Sequence, residues 1–210
     1  MFVAIPIHEF GHAYMSDKCG DSTARYLGRI TINPAAHIDP MGAIIMLFMP
    51  FGWGKPVPVN TLNLHHPRRD MALTSVAGPI MNFLLAYVVL VIEKIVMYTT
   101  IKNGSFITLD GFAPGYYIAL GLYYIFSISI CLGIFNLIPI PPLDGFGILQ
   151  YFLPDKYLFW VRNHQTYITI VFFAIIIFTD VLSPLIGGVQ RLFFNLYDFL
   201  TGYVDLAFGG

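Results

Sequence analysis

Apolar residues in this chain gather into long runs separated by short polar stretches. Two runs, 71–93 (MALTSVAGPIMNFLLAYVVLVIE) and 116–138, match the roughly 20 residues that a bilayer-spanning helix requires. A third run, 166–187, reads the same way, and 189–208 predicts a fourth helix, tilted or interfacial. Residues 2–17 predict a helix too short for a full span. The apolar stretch 41–52 (MGAIIMLFMPFG) is also too short and suits a re-entrant or interfacial element. In "GWGKPVPVN", residues 52–60, prolines alternate with other residues; this permits an extended edge strand or loop and excludes a helix interior. Residues 18–40 read as irregular and polar, and 94–115 as a loop. "PIPPLDG" breaks the second span and restarts a short helix near 145–153. The pattern predicts an all-α polytopic membrane protein with a short re-entrant or β-like segment and additional C-terminal membrane helices.

Composition agrees with the pattern. Apolar residues make up 57% of the 210 and charged residues 11%, where soluble domains carry about 25% charged residues. The mean hydropathy is +0.70. A water-soluble globule is excluded on these numbers. The net charge of −1 says nothing about nucleic acid, and no basic run suggests it, so no nucleic-acid partner is expected. The two cysteines, Cys19 and Cys131, make neither a disulfide framework nor a cysteine zinc site, and both read as reduced. The start does not read as a cleaved signal peptide, because His8 and Glu9 interrupt its apolar run.

Charge also orients the chain. If 71–138 forms two spans, the loops 18–70 and 144–165 lie on one side. They hold Lys18, Arg25, Arg29, Lys55, Arg68, Arg69, Lys156 and Arg162, against Lys94 and Lys102 between the spans. The excess of positive charge places that side in the cytoplasm of a cell-membrane protein.

Three titratable side chains sit in the first apolar run, in "HEFGH". On a helix, His8 and His12 are one turn apart on one face, the spacing that lets two imidazoles share one Zn²⁺. Glu9 is rotated by about 100° and falls outside an equal ligand position. It is placed to take a proton from a water that the metal acidifies toward a pKa of about 7. A bare HExxH match is weak, but charge at membrane depth costs about 2.5–3.5 kcal/mol per group and marks function. A catalytic zinc takes a third protein ligand and keeps one open position. Asp144, in the proline-broken turn, is one candidate; an N-cap for the helix that follows explains it equally well. Asn82 and Asn136 each either hold a substrate backbone and polarise its carbonyl, or brace a broken helix. His37 and Asp39 read as loop structure, and His65, His66 and His164 as solvated loop residues. "KPVPV" offers an edge to which an extended peptide can add as a strand.

In this order, "HEFGH", "GRITINPAAHIDPMG", "GWGKPVPVN", "PRRDMALTSVAGPIMN" and "NLIPIPPLDG" run through the chain. Together they resemble the site-2 protease family of intramembrane zinc metalloproteases, in its small members without a PDZ domain. The resemblance covers residues 3–153. It implies His8, His12 and Asp144 as zinc ligands, one Zn²⁺ per chain, and Glu9 as catalytic base. It implies a three-helix catalytic core in 1–153, reached by water from the cytoplasmic side, with 154–210 as added membrane helices. It places the asparagine of Gly-Pro-x-x-Asn, here Asn82, near the site. The implied activity is hydrolysis of peptide bonds in transmembrane protein substrates within the lipid bilayer. Seven residues precede His8, fewer than the resemblance leads one to expect. A non-proteolytic scaffold of the same fold and a metal or proton transporter are the alternatives. The intact motif set opposes the first, and the absence of repeated halves opposes the second.

Overall fold

The computed structural model describes residues 1–48, 54–102, 107–108, 111–112 and 114–179, with isolated helical positions beyond. It is built of helices: α1 (Ala4–Lys18), α2 (Thr23–Tyr26), α3 (Pro34–His37), α4 (Pro40–Phe48), α5 (Pro67–Lys102), α6 (Pro114–Asn136), α7 (Asp144–Leu149) and α8 (Asp155–Phe178). Among the described residues, strands amount to two-residue segments, β1 (Ile107–Thr108) and β2 (Gly111–Phe112), paired antiparallel between α5 and α6.

The first span is longer than its apolar run. α5 has 36 residues, about 54 Å at 1.5 Å per residue, well beyond the roughly 30 Å hydrocarbon core. At its start Pro67 takes a position where its missing N–H costs nothing, and the Asp70 carboxylate accepts the His66 N–H at 2.7 Å. At its far end the expected loop from residue 94 is a helix through Lys102. Residues 94–103 hold neither glycine nor proline, and the first breaker is Gly104.

Helices α5 and α6 form a hairpin. Ala86, Val89 and Leu90 of α5 pack on Phe126, Ile130 and Ile134 of α6. In their most apolar 18-residue stretches, only 28% of α6 and 44% of α5 are buried within the protein. The apolar remainder faces outward, where lipid rather than water suits it. Among the described residues these two helices are long and apolar enough to cross a membrane.

The third expected span differs. α8 begins at Asp155 rather than 166, so its first turns carry the polar stretch "DKYLFWVRNHQ", and His164 lies exposed on a helix rather than in a loop. The expected re-entrant segment is helical over Pro40–Phe48, and residues 49–53 lie outside the described residues. Most of the expected 189–208 helix also lies outside them; Phe194 is described, and its ring sits 5.1 Å from that of Phe126.

The polar stretch after α1 is an ordered cap. Asp21 is fully buried and accepts from the Asn60 N–H at 2.6 Å, Asn63 Nδ2 at 3.0 Å and the Thr23 hydroxyl. The His65 N–H donates to the Cys19 carbonyl at 3.0 Å, tying the end of α1 to the approach to α5. Burial pushes the Asp21 carboxyl up, and these donors outweigh it, so its pKa lies below the usual value. A depressed folded pKa contributes stability above the unfolded value of about 3.9 and loses it as pH falls through the folded value. Zinc-free protein should therefore melt at a lower temperature as pH drops below about 4. Asp21→Asn should lower the melting temperature at pH 7 and flatten that acid dependence. Parallel melting curves for the two proteins across this range would show that Asp21 contributes nothing of the kind.

Candidate metal centre

α1 and α5 run side by side in opposite directions, and their contact is where the polar residues meet. His8 and His12 project from one face of α1, both buried, at 5% and 8% exposure. Gly78 of α5 lies directly opposite. A Cβ there would run into the His12 ring and sit 2.7 Å from His8 Cε1. Only a residue without a side chain lets the two helices close over both imidazoles.

The third group arrives from the other end of the core. α6 ends at Asn136, the chain turns through Pro139, Pro141 and Pro142, and α7 starts at Asp144. α7 packs tightly against α5: a Cβ on Gly147 would overlap the Ser75 side chain, with Ser75 Cβ 2.7 Å away. Asp144 does not cap α7. The capping position belongs to Leu143, and no side chain caps the helix. The Asp144 carboxylate turns to the histidines instead. Its Oδ2 lies 3.0 Å from His8 Nε2 and 3.3 Å from His12 Nε2, and the two Nε2 atoms are 3.0 Å apart.

These separations fit a metal. Two ligands at 2.0–2.1 Å from a tetrahedral zinc stand about 3.3 Å apart. The protonation pattern fits as well. His12 Nδ1 donates to the Thr74 carbonyl at 2.7 Å, so the neutral ring presents a lone pair at Nε2. Asp144 Oδ2 is buried without a hydrogen-bond partner. A carboxylate oxygen and two ring nitrogens that converge this closely in a largely buried site suit a cation between them. Among the described residues this is the group of His, Cys, Asp or Glu side chains close enough to hold a metal, its ligand atoms all within 4.8 Å of one another.

Glu9 stands off this triangle, as its position on the helix requires. Its Oε2 accepts the Val57 N–H at 3.1 Å. Val57 lies between Pro56 and Pro58, neither of which has an N–H, and the Lys55 N–H goes to the His37 carbonyl at 2.6 Å. Residues 55–58 therefore hold no donor for an added strand while the Glu9 bond stands; of "KPVPV" this leaves the Val59 N–H and the carbonyls. His37 is fully buried, with Nε2 2.7 Å from the Thr31 carbonyl, and supports this segment away from the metal ligands. Gly54 pairs with Ile38 beside it, and Asp39 accepts the Met41 and Gly42 N–H groups at the start of α4.

The two asparagines separate. Asn82 is fully buried on α5, with its amide 3.0 Å from His8 Nδ1. Asn136 Nδ2 donates to the Leu132 carbonyl at 2.9 Å, a brace on the last turn of α6. The hold of the Thr74 carbonyl on His12 is not legible in the sequence. A backbone carbonyl leaves no mark in residue identity.

A helical chain with two apolar helices long enough to cross a membrane, and a close His–His–Asp group beside a glutamate, fits the class of membrane-embedded zinc metalloproteases. The model of peptidase family M50 matches residues 113–179. YwhC of Bacillus subtilis, named as an inferred zinc metalloprotease, is 35% identical over 185 residues, 84% of this chain and 78% of its own length. Rip2 of Mycobacterium tuberculosis, named likewise, is 29% identical over 70% of this chain and 53% of its own length. Zinc metalloprotease MJ0392 of Methanocaldococcus jannaschii is 25% identical over 75% of this chain and 34% of its own length. No solved structure matches. The chain belongs to peptidase family M50, the site-2 protease family, and is a zinc-dependent intramembrane protease. Zn²⁺ is its cofactor, and membrane proteins are its substrates.

Proposed function

We propose that His8, His12 and Asp144 hold the zinc, that Glu9 is the general base, and that the pair cleaves an unwound transmembrane segment. The observation that carries this reading is the meeting of Asp144 Oδ2 with two imidazole nitrogens 3.0 and 3.3 Å away, from a turn 132 residues after His12. Bound there, zinc supplies Lewis acidity to water and to the scissile carbonyl. Glu9 accepts a proton from the attacking water and returns it to the leaving nitrogen. Val57 holds the Glu9 carboxylate in place through one backbone N–H. Held by neutral imidazoles, as zinc ligands must be, the ion's charge would be offset by the carboxylates of Asp144 and Glu9, which suits a site at membrane depth.

The chain crosses the membrane several times, with its core in 1–153 and accessory membrane helices in 154–210. The end of α1 and the starts of α5 and α8 face the cytoplasm. Arg68 pairs with Asp155 across two of these ends, and Lys18, Arg25, Arg29, Arg69, Lys156 and Arg162 cluster near them. The substrate must be extended where it is cut, because a helix hides its carbonyls.

Cleavage of a membrane-spanning reporter by the purified chain in lipid vesicles tests the reading. A strong chelator should stop cleavage, and zinc should restore it. Cleavage that continues after the zinc has been stripped would overturn the proposal.

A further inference from the structure

Asn82 is the only polar side chain of α5, among the described residues, that touches a ligand histidine. Thr74, Gly78 and Asn82 are spaced four apart and lie on one face of α5. The Thr74 carbonyl meets His12, Gly78 leaves space for both rings, and Asn82 meets His8. Because α1 and α5 are antiparallel, the two histidines each receive one contact from this stripe.

The amide has two ends, and only one of them suits a zinc ligand. As placed, Nδ2 lies 3.0 Å from His8 Nδ1, and Oδ1 is buried with no partner. An Nδ2 donor needs a lone pair on Nδ1, which puts the His8 proton on Nε2, the atom facing Asp144 and His12. That tautomer cannot ligate through Nε2. Turning the amide by 180° places Oδ1 on the Nδ1–H, so that the oxygen left without a donor gains one, while Nδ2 moves to the position Oδ1 held. Nε2 is then free for the metal, as it already is in His12.

We propose that Asn82 is a positioning residue for the zinc ligand His8: its side-chain oxygen accepts the Nδ1–H and fixes the tautomer that binds metal. It acts through the histidine and not on the substrate carbonyl. This rests on the proposed ligand set above.

Zinc affinity of the purified full-length chain tests it, by competition with a chromogenic chelator, alongside cleavage of the reporter. His8→Ala serves as reference. Asn82→Ala should weaken zinc binding by about 10–100-fold. Asn82→Asp keeps an acceptor and removes every donor, and should bind zinc within a few-fold of wild type and still cleave when loaded. Wild-type zinc affinity in Asn82→Ala overturns the inference, as does an Asn82→Asp protein that binds zinc no better than Asn82→Ala. Loss of about 10²–10³ in cleavage by zinc-loaded Asn82→Asp would assign a donor role at the carbonyl instead. If Asn82→Ala does not fold, Asn82→Asp decides alone: retained affinity supports the acceptor role and lost affinity rejects it. If His8→Ala itself binds zinc as wild type does, the ligand set fails, and that result is distinct from failure at Asn82.

Discussion

Glu9→Gln should hold one zinc per chain and lose cleavage by about 10²–10⁴-fold, the range of a positioned general base. The substitution keeps the side chain's length and its acceptor for the Val57 N–H, 3.1 Å away in the wild type. It removes only the capacity to take a proton. None of the three converging ligand atoms belongs to Glu9, so the metal should stay. The check is zinc content and reporter cleavage measured on one preparation. Full cleavage in this variant would remove Glu9 from the chemistry. Loss of zinc would make it part of the metal site instead.

Gly78→Ala should have an effect of similar size by a different route. Its added carbon would overlap the His12 ring and crowd His8 from 2.7 Å. Neither ring can retreat freely, because His12 is held by the Thr74 carbonyl and both are buried. The helices must separate or the ligands must turn away. Zinc affinity should fall about 100-fold, at the upper end of what disturbed ligand orientation costs. Overpacking should also lower stability by about 1–3 kcal/mol. Chelator competition and thermal melting read the two effects separately. Wild-type affinity in this variant would mean that α1 and α5 are not closed over the histidines as described.

The helical membrane character of the chain could be read from its apolar runs, and His8, His12 and Glu9 from a five-residue motif. Asp144 was ambiguous in the sequence. A residue at the head of a short helix suits capping and ligation equally, and only its direction in space separates them. The structure gives the cap position to Leu143 and turns Asp144 toward the histidines. Helix lengths were less legible, because hydropathy marks the lipid-facing part and not the end of the helix. Nothing in "KIVMYTTIK" stops α5, and nothing in "DKYLFWVRNHQ" prevents α8 from starting early. The hold on Glu9 was hidden for another reason. The prolines around Val57 read as an edge to which a peptide could add, yet they isolate the single N–H that meets the carboxylate.

On the proposed ligand set, a turn late in the chain completes a metal site begun on the first helix. Zinc stoichiometry of purified wild type and Asp144→Ala tests this most directly. Wild type should carry one zinc per chain, and Asp144→Ala should carry close to none after brief dialysis against a weak chelator, while remaining folded. An unchanged one-to-one zinc content in Asp144→Ala would contradict it.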